Sequence, residues 1–310
     1  MSKKIKIVAK KTAKKTAEKI KKKYSLTVVL LSYNGSFWLK KTLETLQKFY
    51  LKKTKHQVEV RLVDNASTDD SVAMVQKNFK WVKIIRNDKN LGFAAGNNIA
   101  LRQLKTDYAL LLNTDTELTA QSNFDLLLEY LRAHTDVGLI GPRVLLTGGD
   151  LDEASHRGEP TLWAAITYFL GLEKLWPNSK IFGQYHQFYK GLDSIHEVDA
   201  ITGAAMMAPV SVLKKINYFD EDYFLYGEDL DLAKKVRNSG KKVVFNPEVS
   251  IIHHKNKSGI ENSSTVVSRK SSRYFYDTML TYYDKHYAKK YPRSVRFLLR
   301  AILFVKKEGA

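Results

Sequence analysis

The chain has 310 residues, 44% of them hydrophobic, with a formal net charge of +19 and no cysteine. That size and composition describe a folded protein with room for one large α/β domain or two small ones, and they exclude global disorder. The missing cysteines exclude disulfides, thiolate metal sites and a cysteine nucleophile, and fit a reducing compartment.

The charge is unevenly placed. Residues 1–23 hold eleven lysines against one glutamate, and residues 285–310 eight basic residues against one glutamate. The two ends therefore carry +10 and +7, leaving +2 for residues 24–284. A near-neutral body argues against a nucleic-acid-binding protein, and no nucleic-acid partner is expected. The run at 1–23 reads as a mobile, solvated tail, with contact to anionic lipid or nucleic acid as the alternative. No apolar h-region follows the first lysines, so no secretory signal is expected. No run approaches the roughly 20 apolar residues of a membrane span.

In chain order, "LTVVLLS" (26–32) has the continuous apolar character of a strand buried on both faces. "SFWLKKTLETLQKFY" follows with apolar residues at helical spacing. "VEVRLVD" (58–64) predicts a strand and "DDSVAMVQKNF" a helix with acidic residues at its N-terminal end. "VKII" (82–85), the glycine-rich helix entry "LGFAAGNNIALRQL" and the strand "YALLL" (108–112) complete four strand–helix alternations. Such alternation implies a mainly parallel sheet with helices on both faces.

The four strands end in Ser32-Tyr33-Asn34, Asp64-Asn65, Arg86-Asn87-Asp88 and Asn113-Thr114-Asp115. One polar strand end is a turn. Four together describe a rim for a polar ligand, because open α/β sheets bind ligands outside the carboxyl ends of their strands. Where a dinucleotide fingerprint would stand the chain reads "SYNGSF", and no Walker sequence occurs. A bound diphosphate would then need another counter-charge, which a divalent cation on Asp115 can supply. Taken alone, "NTDTEL" is equally a polar turn.

The second half is less regular. In the stretch 141–197, Trp163, Tyr168, Phe169 and Trp176 either line an acceptor groove or form a satellite core. "VDAITGAAMMAP" is strand-like, and Gly203 and Ala204 permit close approach of a backbone or ligand. The helix predicted from about Asp229 to Ser239-Gly240 crowds Glu228, Asp229 and Asp231 at its start, behind an aromatic loop that includes Tyr226. These carboxylates either cap the helix, or repel one another so that one of them gains a general base's pKa. "VSIIHH" sets His253 and His254 after an apolar strand, as structural residues or metal ligands. Finally, on a helix at the C-terminus, Arg293, Arg296, Arg300 and Lys307 fall near one face and Leu298, Ala301, Ile302 and Val305 near the other. This suits a membrane surface, or ordinary packing on the domain.

Over about residues 26–290 the chain resembles the inverting glycosyltransferases of family 2, most closely a rhamnosyltransferase-like bacterial branch. "LLSYNG", "VDNASTDDS", "NLGFAAGNN", "LLNTDTEL", "GPRVLL", "VDAITGAAMMA", "FDEDYFLYGEDLDLAKKVRNSG" and "VSIIHH" carry that likeness by their order and spacing. The resemblance implies a GT-A fold, a UDP- or dTDP-linked sugar donor (dTDP-rhamnose for this branch), a glycan or lipid-linked acceptor hydroxyl, and Mg²⁺ or Mn²⁺. Ser32, Tyr33, Asn34, Asp64, Asn65, Ser67, Asn90, Gly92, Asn97, Asn113 and Thr114 would bind the donor. Asp115 and His253 would hold the metal, with Glu117 as a further ligand and His254 as the substitute histidine. Asn113 stands where much of the family has the first aspartate of its D-x-D motif. Asp229 would be the base and Glu228 its helper, with Trp163, Gly203, Ala204 and Tyr226 on the acceptor side.

The implied organisation is a tail (1–23), a nucleotide-sugar half (24–135), an acceptor and catalytic half of the same domain (136–262) and a C-terminal helical segment (263–310). The expected location is cytoplasmic, peripheral on the inner face of the cell membrane. The rival from another class is a non-catalytic nucleotide-sugar or glycan-binding protein on a decayed transferase fold.

Overall fold

The structure, a computed structural model, describes residues 24–255 and 265–308, with the side chains of 274–304 in the second stretch. The expected tail at 1–23 lies outside the described residues, as do the side chains of Val305 and Lys307. The first half runs β1 (Ser25–Ser32), α1 (Ser36–Leu46), β2 (Gln57–Asp64), α2 (Ser71–Asn78), β3 (Val82–Arg86), α3 (Gly92–Leu101), β4 (Tyr108–Leu112) and β5 (Thr116–Leu118). Then come α4 (Phe124–Ala133), β6 (Val137–Leu146), α5 (Leu162–Phe169), α6 (Leu172–Leu175), β7 (His196–Val198), β8 (Ala205–Pro209) and α7 (Val210–Lys215). The chain closes with α8 (Glu228–Asn238), β9 (Lys242–His253), α9 (Thr265–His286) and α10 (Arg293–Glu308).

One sheet has the order β3-β2-β1-β4-β8-β6-β9-β5, with β7 also paired to β9. β1 pairs in parallel with β2 and β4, and β2 with β3, as the alternating first half predicted. The second half is mixed, since β4 meets β8 and β9 meets β5 antiparallel while β6 and β9 are parallel. Both faces are covered. Leu26, Val28 and Leu30 of β1 point into a core with α1 and α4, whereas Val29 points to α3 and α8 on the other side. This alternation is the pleat of a strand whose two faces are both dry, and it explains the unbroken apolar run.

A third cluster joins Tyr223 to Tyr282 and Tyr283 of α9 and to Tyr287 just beyond it. Lys285 Nζ reaches Asp220 at 2.5 Å and Asp222 at 2.6 Å, and Thr278 Oγ1 donates to Leu225 O at 3.2 Å. Helix α9 therefore braces the loop that enters α8.

Candidate active site

The parallel run β3-β2-β1-β4 brings four polar strand ends to one edge. Asn65 N–H donates to Ser32 O at 2.7 Å and Asn87 N–H to Asp64 O at 2.9 Å, extending the ladder past the strands. Asn65 ties the loops together. Its amide nitrogen donates to Asn90 Oδ1 and Gly92 O, both at 3.0 Å, while its oxygen accepts from Asn87 Nδ2 at 2.9 Å. Asn34, in a left-handed conformation (φ 53°), donates its N–H to Ser67 Oγ at 3.0 Å and accepts from Thr68 N–H at 2.8 Å. Asp69 takes the N–H groups of Gly35 and Ser36, at 2.8 and 3.0 Å, where α1 begins. Burial opposes its ionisation, but hydrogen bonds from Ser71, Ser36 and Gly35 hold its carboxyl below the usual range.

Asp64 is fully buried; its Oδ1 accepts Ser67 N–H at 3.2 Å, whereas Oδ2 has no hydrogen-bond partner among the described residues. Ser32 Oγ and Thr114 Oγ1 are likewise unpartnered there. Arg86 Nε lies 3.8 Å from Asp64 Oδ2, and buried polar atoms without hydrogen bonds at a strand-end rim fit a ligand that brings its own donors. Tyr33 is exposed beside them, while Asn97 donates to Phe93 O at 3.0 Å.

At the β4–β5 turn, Asp115 is buried and its Oδ1 lies 3.2 Å from His253 Nε2. The other ring nitrogen, Nδ1, meets Asp152 Oδ2 at 3.2 Å, and Lys255 Nζ meets Asp152 Oδ1 at 3.1 Å. Burial alone would lower the His253 pKa, yet these two carboxylates push it up to about 9. Burial opposes the Asp152 charge as well, but His253 and Lys255 hold its carboxyl well below the usual range. A carboxylate on the far nitrogen of a ligating histidine fixes ring orientation and tautomer, so the donor set suits a hard divalent cation. Among the described residues no group of three such side chains can hold a metal, so a cation here would need further ligands from a bound ligand or water, as Mg²⁺ sites often do.

Glu117 takes no part in that pairing. Its carboxylate is engaged by Lys41 Nζ at 2.7 Å and His254 Nε2 at 2.9 Å, with the His254 ring 4.3 Å from that of Trp38. Asp115 lies in the turn before β5 and faces His253, whereas Glu117, inside β5, is drawn to Lys41 of α1 and to His254.

The three acidic residues at the start of α8 diverge. Asp229 Oδ2 meets Arg157 Nη2 at 2.5 Å and accepts Gly203 N–H at 3.2 Å. Asp231 turns to His286 of α9 at 2.7 Å. Glu228 is buried, its Oε2 without a hydrogen-bond partner among the described residues. Burial first, then the adjacent Asp229 charge, push its pKa up to about 8 against the pull of Arg157. Mutual repulsion was expected to raise one of these carboxylates; burial is the larger cause, and the residue is Glu228.

Gly203 stands between the two halves, since a Cβ there would lie 3.2 Å from Phe93 Cζ of α3 and 3.9 Å from Asp229 Cβ. Gly92 (φ +79°) abuts the loop before α8, where a Cβ would meet Phe224 O at 2.3 Å; Phe93 N–H donates to that same oxygen at 2.7 Å. Tyr226 and Gly227 follow in left-handed conformations, with the Tyr226 ring 6.0 Å from Phe275 of α9. Ala204 O accepts Asn113 N–H at 2.9 Å. Trp163 Nε1 donates to Ile181 O at 2.8 Å, and Trp163, Tyr168, Phe169 and Trp176 are exposed rather than buried in a satellite core.

Arg157 and Asp152 escape sequence reasoning. Both lie in an irregular segment, 72 and 101 residues from Asp229 and His253, and no spacing signal joins such pairs.

A nine-stranded sheet whose parallel half ends in this rim, with carboxylates at the β4–β5 turn and at the start of α8, is the GT-A architecture of nucleotide-sugar transferases. The mannosyltransferase PcManGT from Pyrobaculum calidifontis, solved with GDP-Man and Mn²⁺, matches 92% of this chain and 70% of its own, with TM-score 0.57 and 15% identity. The family model for glycosyl transferase family 2 matches residues 27–198, and the chain belongs to that family. It is 24% identical over 264 residues to the N-acetylglucosaminyl-diphospho-decaprenol L-rhamnosyltransferase of Mycobacterium tuberculosis (strain ATCC 25618 / H37Rv), covering 81% of this chain and 83% of that protein. It is 29% identical over 175 residues to the rhamnosyltransferase WbbL of Escherichia coli (strain K12), covering 53% and 61%.

Proposed function

We propose that this glycosyltransferase moves a sugar from a UDP- or dTDP-linked donor, rhamnose from dTDP-rhamnose first among the candidates, onto a hydroxyl of a lipid-linked or cell-envelope glycan acceptor, with inversion. The observation that carries this reading is the setting of Asp229. It is held by Arg157 and the Gly203 N–H, at a glycine whose Cβ position touches Phe93 of the donor-side helix. A carboxylate so fixed suits a base at the seam between donor and acceptor halves.

Asp229 takes the acceptor hydroxyl's proton as that oxygen forms its bond to the anomeric carbon. The bond from that carbon to the diphosphate breaks on the opposite face, and the leaving group keeps the electron pair. Asp64, whose Oδ2 faces Arg86 Nε at 3.8 Å but accepts no hydrogen bond among the described residues, accepts the imide N–H of a uracil or thymine base. Ser32, Tyr33, Asn34 and Ser67 surround the nucleoside, with Asn65 and Asn90 holding their loops in place. Asp115 and His253 would hold Mg²⁺ or Mn²⁺, which when bound supplies positive charge at the leaving diphosphate. Glu228, adjacent to the base, orients the acceptor or keeps Asp229 in place. Among the described residues no helix is long and apolar enough to cross a membrane. We place the enzyme on the inner membrane face, with α10 towards the lipid.

A thermal-shift screen of UDP-, dTDP- and GDP-sugars with Mn²⁺, followed by transfer assays, tests the reading. Stabilisation by a dTDP- or UDP-sugar and transfer lost in Asp229→Asn are expected. Full transfer by that variant would remove Asp229 from the role.

A further inference from the structure

The segment 162–181 has no place in the transfer chemistry beyond Trp163, and its composition is unusual for a surface. Helices α5 and α6 form a hairpin around Gly171, which takes the left-handed turn (φ +74°) with open space about it. The inner side is anchored. Ala164 and Thr167 are buried, Thr161 caps α5 through Ala164 N–H, and buried Glu173 accepts His186 N–H at 2.8 Å. The outer side carries Phe169, Leu170, Leu175, Trp176 and Ile181, with Leu170 and Leu175 more than two-thirds exposed, at 69% and 67%. A dense apolar group of this kind marks an interaction surface; scattered exposed leucines do not.

The charges around it select the partner. Between residues 162 and 181 the charged side chains are Glu173, Lys174 and Lys180; the acid is buried and both lysines are exposed. The exposed charge within the hairpin is thus positive, and the nearest exposed acid outside it, Glu153, pairs with His186. Trp, Phe and Leu beside Lys is the chemistry of an element lying in the interface of an anionic bilayer.

A second exposed apolar surface lies on α10. Helix α10 packs Val295 and Leu299 on the α9 tyrosines and pairs Arg296 with Asp284 at 2.6 Å, while Phe297, Leu298, Ile302 and Phe304 stay exposed.

We infer that the α5–α6 hairpin is a membrane-docking element that seats its Leu170–Ile181 face in an anionic lipid surface. The inference stands on exposure and charge, and does not depend on which sugar is moved.

Because the chain has no cysteine, Leu170→Cys gives a single labelling site for an environment-sensitive fluorophore in the full-length protein. With vesicles of phosphatidylcholine plus phosphatidylglycerol, the label is expected to shift to the blue, and less so with phosphatidylcholine alone. The double variant Leu170→Glu/Leu175→Glu should bind the anionic vesicles at least about tenfold more weakly, with unchanged circular dichroism and thermal unfolding. A label that stays in water, or equal vesicle binding by the double variant, overturns the proposal. So does a wild-type dimer that the double variant converts to monomer while vesicle binding persists, because the face would then belong to a second copy of the chain.

Discussion

The buried Glu228 makes the stability of this protein depend on pH in a direction opposite to that of most carboxylates. Its pKa is raised from 4.5 to about 8, by burial and then by Asp229. Below pH 4.5 the group is neutral in folded and unfolded chains alike and contributes no difference. Above it the unfolded chain ionises while the folded one keeps its proton, so the folded state binds more protons and loses stability as pH rises to about 8. At about 1.4 kcal/mol per pKa unit, the full penalty is on the order of 4–5 kcal/mol. Glu228→Gln keeps the shape of the neutral acid and cannot ionise. Urea unfolding of both proteins across this range should give nearly equal stabilities near pH 4.5 and a growing advantage for the variant, several kcal/mol near pH 8. A difference between the two that stays constant with pH would falsify the account of Glu228 as a buried, largely protonated acid.

Three further outcomes are expected. Asp229→Asn should bind donor as tightly as the wild type in calorimetry yet lose transfer by about 10²-fold or more, the usual contribution of a general base; loss of donor affinity instead would make Asp229 a binding residue. His253, with its pKa near 9, must give up its proton to ligate through Nε2, so Mn²⁺ affinity in the presence of nucleotide should rise from pH 6.5 towards 9. Calorimetry in buffers of different ionisation enthalpy should find about one proton released per Mn²⁺ near neutrality, and none in His253→Ala; equal release in both would exclude His253 as a ligand. Gly92→Ala puts a methyl 2.3 Å from Phe224 O at φ +79°, whereas Gly149→Ala meets only the left-handed strain at φ +92° with open space around it. The first should cost at least about 1 kcal/mol more than the second in urea unfolding; equal costs would show that the loop before α8 is not seated on Gly92.

Much of the donor half was legible because its signals are local. A strand buried on both faces reads as an unbroken apolar run, and "YALLL" became β4 with the same limits, Tyr108–Leu112. Polar strand ends on consecutive parallel strands converge by topology alone, so the rim from Ser32 to Asp115 followed once the alternation was seen. The divergence of Glu117 from Asp115 was not legible, because residues two apart share a face of a strand and it is Lys41 and His254 that draw Glu117 away. Partners of buried charges are a different matter. Arg157 for Asp229, Asp152 for His253 and His286 for Asp231 are tertiary pairs, and a sequence records neither the approach of their segments nor the burial that gives them weight.

These partners also divide the acidic start of α8 into separate duties, which charge counting could not do. Three adjacent negative charges in a dry setting repel one another unless each is compensated. Arg157 pairs with Asp229 and His286 hydrogen-bonds Asp231, while Glu228 Oε2 has no hydrogen-bond partner among the described residues and burial raises its pKa. The supporting cation comes from the irregular segment before α5, and the other brace from α9. The irregular segment before α5 is thus tied to Asp229 through Arg157, and helix α9 to Asp231 two residues further along α8. Movement of either would be felt at the carboxylate proposed to take the proton.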